Sequence, residues 1–470
     1  MKILLIKLAS IFTIILSTIV LLTSCSNNFD NPLIFANFES YMSEDLKSRL
    51  KNEFNELKFD FYTSNENMIT NFKNGTYTIG NASTYAVIEL IKQEELEPID
   101  WSKFNLKKPI TNEPINNEND ALSLFIEPVR KILTGFDEIP NLLKYCIPYF
   151  FQNYLFAYRG QKILDFENPN ITWENILDII GSKPNVFNSA RMGGVEDERT
   201  LFSVSNLVNS NNQNVNPINL SLKPSIDEYK NVYKQLSNGN RINTRTLGKN
   251  PIPIFLNSDS SVILNKLATN SLNGAMMFNG DAIFAAQGGE DALDKLPSSQ
   301  DFHFVSPIDT PLALDCLVIN KKNVVNNDQR MQTTYKILNQ TALEGSDSND
   351  PNDFEKLNSD NLFFYGPMLN FSFVQYVSPL KIISGQSNDI SDNDKDLNNI
   401  DKNIINSVVY TNDYFLNLDD PDLGEAIKNA YTISIPDNIP ITNLIESPLN
   451  SWQKQTIINS YLRFKEEFWN

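Results

Sequence analysis

The chain has 470 residues, of which 41% are hydrophobic and 11% aromatic, enough to bury large cores in two or three domains. Its formal charge is −18, from 39 basic and 57 acidic side chains, which argues against a nucleic-acid binder and suits solvent or a cationic partner. One histidine, three cysteines and no Gly-rich phosphate loop leave little material for catalysis or a metal site, and the chain reads as a non-enzyme without cofactor.

The N-terminus reads as a targeting segment. Residues 1–24 carry Lys2 and Lys7, then an uncharged apolar run over 8–22, and end on Leu22-Thr23-Ser24. A basic start, an apolar core and small residues at the end make a secretory signal. Because the run approaches spanning length, a plain transmembrane anchor is the competing reading. The small pair before Cys25 resembles the lipobox of bacterial lipoproteins, which implies that Cys25 carries lipid (palmitate) and becomes the first mature residue. Its removal takes two lysines and no acid, moving −18 to −20. Residues 25–32 then form a solvated, lipidated tether.

Residues 33–38 form a short apolar strand, and Ser43 caps a helix that places Leu46, Leu50, Phe54 and Leu57 on one face. Residues 58–63 alternate as a strand, and 65–74 are helical. Strand and helix at this interval predict a βαβ unit in a mostly parallel sheet. After Gly75 comes another short apolar strand, then a helix over 85–93 that opens on Ser83-Thr84-Tyr85. Ser and Thr are preferred N-caps, and taken alone that accounts for them. Ligands also collect at the carboxyl ends of strands, where a phenol and two hydroxyls would furnish a small-molecule cleft.

Residues 109–119 are a loop and 121–144 are helical. The aromatic-dense 146–158 is a strand or strand pair leading out of the first unit. Thr172 caps a helix over 173–180, residues 186–188 start a strand, and Asp197-Glu198-Arg199-Thr200 opens another helix. A polar linker spans 209–216. Residues 225–236 are helical with a Ser225/Glu228 capping box, followed by a strand at 252–256, a helix at 261–269, a buried strand at 274–278 and a helix at 282–287. Two more strands fall at Val305 and at 312–319.

The last of these holds Asp315 alone among apolar residues. A buried carboxylate has to be paired or well hydrogen-bonded, so either a Lys or Arg of the chain serves it or a ligand does. His303, within Phe302-His303-Phe304, reads as structural, and Cys146 and Cys316 as buried thiols. Residues 345–361 and 387–403 are exposed Asn/Asp/Ser-rich inserts. Residues 371–377 are strand-like, and 451–468 are helical.

Three stretches together resemble the bacterial spermidine/putrescine-binding proteins, the extracytoplasmic components of polyamine ABC importers. They are Tyr62 with Ser64-Asn65-Glu66, Met68, Ser83-Thr84-Tyr85 and Asp100; Met277-Phe278-Asn279-Gly280; and Leu314-Asp315 through Ile319. Weaker matches are Asn37 to Tyr41, Ile147-Pro148-Tyr149, Trp173, Tyr376 before Ser378-Pro379, and Trp452-Gln453. The resemblance covers most of the mature chain and leaves out the polar inserts. It implies an α/β, two-lobed periplasmic-binding-protein fold of type II with the ligand cleft between lobes. Lobe 1 would hold 33–154 and 315–375, and lobe 2 would hold 155–314 and 376–470.

By the same resemblance the ligand-binding positions are Phe38, Tyr41, Ser83, Tyr85, Asp197, Phe278, Asp315, Tyr376 and Gln453. Aromatic faces would pack on the methylenes of a polyamine and carboxylates would meet its ammoniums. The chain departs from the family's tryptophans at Ala313, Phe38 and Phe278. It has Thr200 where a carboxylate is expected, for which Glu39 or Asp281 would substitute. The implied protein is a monomer, lipid-anchored at the extracytoplasmic face, working with ABC permease subunits and a cytoplasmic ATPase. The alternatives are a surface lipoprotein that keeps the fold but serves adhesion or binds a different small cation, and a surface hydrolase.

Overall fold

A computed structural model of the chain describes residues 32–183, 187, 191–208, 222–237, 254–287, 302–348, 350, 355–358, 361–385, 407–409, 421–436 and 439–469. The expected signal segment, Cys25 and nearly all of its tether, the 209–216 linker and insert 387–403 lie outside those residues, as does much of insert 345–361.

Leu33–Phe38 (β1), Leu57–Tyr62 (β2) and Ile79–Ser83 (β3) run parallel, linked by helices Glu44–Glu53 (α1) and Asn65–Lys73 (α2). The βαβ pattern arises because short apolar strands alternate with helices that bury one face: Leu46 and Leu50 on α1, Met68, Ile69 and Phe72 on α2. Ser64 accepts the Asn67 N–H as the cap of α2, whereas Ser43 stands at the N-cap of α1 without a side-chain bond. Helix Thr84–Lys92 (α3) follows β3 directly.

Cys146–Arg159 (β4) is a single fully buried 14-residue strand rather than a pair. Its first half, through Asn153, pairs antiparallel with Leu312–Ile319 (β9), which in turn pairs antiparallel with β3. Its second half, from Tyr154, pairs with Leu272–Phe278 (β7), and from Phe156 also with Phe302–Val305 (β8). Arg191–Val195 (β5) and Ile254–Asn257 (β6) extend the β7 side in parallel. Among the described residues the order is β2-β1-β3-β9-β4-β7-β5-β6, with β8 on β4. β4 therefore belongs to both halves of the sheet and carries the chain from one to the other, and the β8–β9 connection over 306–311 carries it back.

Helices Trp173–Ser182 (α4), Glu198–Val208 (α5), Ile226–Tyr233 (α6), Ser260–Ala268 (α7) and Asn279–Ala286 (α8) surround the β7 side. α4 and α6 start on full capping boxes, Thr172 with Asn175 and Ser225 with Glu228. Pro421–Tyr431 (α9) packs on β8 and α8, and Ser451–Phe464 (α10) on α6 and α5.

Three expectations are corrected. Residues 371–377 are not a strand, because helix Gly366–Val374 occupies the segment, started by Pro367 in its first turn and closed by Gln375 at φ 64°. A short run that is apolar on all sides has no period to separate strand from helix. Residues 121–144 are not one helix: Glu127–Leu133 is helical, flanked by tight turns at Leu122–Leu124 and Leu142–Lys144, and Pro140 follows its end. Of the strand start expected at 186–188 only Phe187 falls within the described residues, and it is helical; the next described strand is Arg191–Val195.

His303 stacks on Tyr158 with ring centroids 4.7 Å apart and bonds the Gly160 carbonyl through Nε2 at 2.9 Å. Cys146 and Cys316 are free and buried. Among the described residues no helix is long and apolar enough to cross a membrane, and no three of His, Cys, Asp and Glu are grouped to hold a metal.

Candidate functional site

Strands β3, β5 and β7 each end where a helix begins, and the three junctions converge on one cleft of about 590 Å³. The geometry follows from the topology, since parallel strands and their following helices present carboxyl ends and helix N-termini on one side of the sheet. The cleft is lined by Phe38, Tyr41, Ser83 and Tyr85 from one half and by Asp197 and Phe278 from the other, with Tyr376 between them.

Ser83 decides between its two readings. It occupies the N-cap position of α3, yet its side chain makes no capping bond. Instead Ser83 Oγ donates to Asp315 Oδ1 at 2.6 Å, and the Asn65 side chain holds Ser83 by donating to Oγ and accepting from its backbone N–H, each at 3.1 Å. Asp315 faces Ser83 in the β3–β9 ladder.

Asp315 is 3% exposed and sits behind the cleft wall formed by Ala313 and Leu314. Burial pushes its carboxyl up to about 6 against the hydrogen bonds from Ser83 and Gln152. Gln152 also donates to the Tyr41 hydroxyl at 3.3 Å. Tyr41 packs edge-on against Tyr376 at 5.2 Å, and the Tyr376 hydroxyl donates to Asp281 Oδ1 at 3.1 Å. Burial likewise lifts Asp281 to about 6, opposed by its bonds to Tyr376 and Ser260.

A polar chain thus runs from Asp315 through Gln152, Tyr41 and Tyr376 to Asp281, with Phe38 packed on Tyr41 at 5.1 Å. Burial, and then Asp315, drive the Tyr41 phenol well above its ordinary value, so it is a neutral partner. Among the described residues no lysine or arginine pairs with Asp281 or Asp315.

The Tyr85 end differs. The Arg199 guanidinium carbon lies 3.7 Å from the Tyr85 ring centroid. Its Nε meets Glu446 at 2.5 Å, one terminal nitrogen donates to the Ser447 carbonyl, and the other is 3.9 Å from Glu66. Lys454 lies 3.7 Å from Glu66 and 3.2 Å from Glu89, and the Tyr85 hydroxyl donates to Glu66 at 3.3 Å. Burial works against the charge on Arg199, but Glu446, Tyr85, Glu66 and Asp197 outweigh it and hold the guanidinium charged. Burial pushes Glu446 up to about 7 despite that arginine.

The remaining expected positions take other roles. Asp197 lines the cleft and accepts the Thr200 N–H at 2.6 Å at the head of α5, so Thr200 supplies no carboxylate. Gln453 faces its own helix: it forms a capping box with Asn450 and does not line the cleft. Glu39 is also absent from the lining, whereas Asp281 is part of it. Arg199, Glu446, Lys454 and Gln152 were not singled out in the sequence. Arg199 alone carries a signal, as a cation in the first turn of a helix stands against the macrodipole and calls for a reason.

Together the sheet order, the crossing strand and the cleft at the strand ends define a two-lobed, type II periplasmic-binding-protein fold. A spermidine/putrescine ABC transporter protein of Listeria monocytogenes matches it with a TM-score of 0.50 at 15% identity, covering 93% of this chain and 99% of the other. The spermidine/putrescine substrate-binding protein of Streptococcus pneumoniae, also at 15% identity, has a TM-score of 0.49 over 93% and 99% of the two chains. Residues 1–410 and 391–468 match the profile of the hypothetical lipoprotein (MG045) family, and the chain belongs to that family. No curated protein matches it in sequence.

Proposed function

We propose that the chain is the substrate-binding lipoprotein of an ABC importer, anchored through Cys25 at the outer face of the membrane, which captures a polyamine and hands it to permease subunits driven by a cytoplasmic ATPase. The observation that carries this reading is the pair Asp281 and Asp315. Both are buried, neither has a cation from the protein among the described residues, and an aromatic group of Tyr41, Tyr376 and Phe38 lies between them. Unpaired buried carboxylates are costly, and an ammonium ligand would relieve that cost while its methylenes pack on the rings. The cleft as a whole is acidic, with Glu66, Asp197, Glu198, Asp281 and Glu446 against Arg199 and Lys454. The fold supports the binding role, and the spermidine/putrescine transporter of Listeria monocytogenes that shares this fold supports the ligand class.

In this reading lobe 1 is 33–154 with 315–375 and lobe 2 is 155–314 with 376–470, the cleft closes by hinge motion, and no reaction is catalysed. A ligand that binds only the native state raises its stability by about 2.7 kcal/mol at a hundredfold excess over Kd. Thermal melting of the mature protein with putrescine and with spermidine should therefore show a saturable rise. Asp315→Asn, which keeps shape and the bond to Ser83, should fold and lose that rise. No rise with either amine in the wild type would sink the proposal.

A further inference from the structure

The two ends of the cleft are served differently. At one end Asp281 and Asp315 have no protein cation among the described residues; at the other, the chain supplies its own. Arg199 is only 14% exposed, holds its guanidinium carbon over the Tyr85 ring, and spends its donors on Glu446 and Ser447. Cation over aromatic face with carboxylates alongside is the same chemistry that would hold an ammonium. That position is filled by a side chain that a ligand cannot displace without leaving the partly buried Glu446 unpaired.

We propose that Arg199 is a specificity residue of the cleft: its guanidinium occupies the cation position over Tyr85, so the cleft takes a short organic cation charged at the Asp281 and Asp315 end and discriminates against a longer polycation. This rests on the cationic-ligand reading above. A ligand that fits the open end meets Asp281 in the lining, with Asp315 behind the wall and joined to it through Gln152, Tyr41 and Tyr376. A further ammonium reaching toward Tyr85 meets a fixed like charge in a partly desolvated site, where repulsion is poorly screened. The ligand class that fits is a diamine or a single ammonium on an apolar body, and putrescine is the probe for it.

Titration calorimetry of the mature protein with putrescine and spermidine tests this in the wild type, in Arg199→Met, and in Arg199→Met combined with Glu446→Gln. The double variant removes both charges together, so it reports even if the single variant leaves Glu446 too destabilising for folding. The wild type should prefer putrescine, and removal of the guanidinium should raise spermidine affinity relative to putrescine by about tenfold or more. A wild type that prefers spermidine, or a ratio unchanged in the variants while both amines still bind, overturns the role of Arg199 and leaves the cationic-ligand reading standing. Binding of neither amine to the wild type overturns both.

Discussion

A methyl group placed on Gly280 would lie 1.8 Å from a ring carbon of Tyr376. Tyr376 holds Asp281 through its hydroxyl and leans on Tyr41, so this glycine exists to let the ring reach the cleft. Gly280→Ala should lower stability by about 1–3 kcal/mol through overpacking and should weaken amine binding, read as a smaller ligand-induced rise in Tm. Ser83→Ala tests the choice between cap and cleft from the other side. A lost N-cap destabilises by about 1 kcal/mol, whereas the Ser83 hydroxyl makes no cap bond and instead steadies the Asp315 carboxylate. Chemical denaturation should show a loss of about 1–3 kcal/mol from the buried Asp315 carboxylate left short of a donor, and calorimetry should show reduced affinity; a loss of stability with affinity intact would restore the capping role. The residues alone pointed to Ser83, at a strand end, and to Asp315, which breaks an apolar run, whereas Phe278 came only with the family resemblance. Glu446 and Lys454 could not be found that way, since they matter only through contacts that folding creates with Arg199 and Glu66.

The helix that follows β7 opens on Asn279, which is fully buried and joins three elements. Its side-chain oxygen accepts the Asn153 N–H of β4 at 3.3 Å, and its amide donates to the Ala430 carbonyl near the end of α9 at 3.1 Å. Asn279→Ala would strand two buried backbone groups, each worth about 1–3 kcal/mol when unsatisfied, so a drop of several kcal/mol in denaturant unfolding is expected. Asn279→Asp keeps the acceptor but buries a carboxylate against the Ala430 carbonyl, so it should lose at least as much. Most elements were legible from period and caps: α4 and α6 announce themselves through Thr172 and Ser225, and β7 through an unbroken apolar run. The segment around Phe371 was not, because its helix is apolar on every side and starts on Gly366-Pro367, a pair that reads as a turn. β4 was legible as the strand leading out of the first unit but its partners were not, since pairing with β9 in one half and β7 in the other is a fact of tertiary structure.

Charge governs the molecule as a whole through three buried acids, Asp281, Asp309 and Asp315, and the partly buried Glu446. Burial lifts Asp281 and Asp315 to about 6 and Asp309 and Glu446 to about 7, all above the ordinary carboxyl range. The folded chain therefore holds protons more tightly than the unfolded chain, so stability is greatest near the unfolded carboxyl pKa of about 4 and falls as pH rises toward 7. For Asp315 alone the change is about 2–3 kcal/mol. Melting without ligand from pH 5 to 8 should show Tm falling, while amine affinity rises over the same range because a bound cation favours the ionised carboxylates. A Tm that rises steadily with pH would contradict this assignment. The formal charge of −18 adds long-range attraction for a cation, so the association rate should fall as salt is added.

The crossing strand also dictates the order in which the protein can assemble. β3 lies against β9, and β9 lies against the first half of β4, so the first lobe's sheet stays open at its centre until residue 312 is available. By then the β5, β6 and β7 strands already exist and can pair with the second half of β4. Completing the N-terminal half thus waits for the C-terminal half, and the pairing with the greatest loop-closure entropy comes last. Pulsed hydrogen exchange during refolding should find the amides of Tyr154–Tyr158 protected before those of Ile79–Ser83, even though the latter come first in the chain.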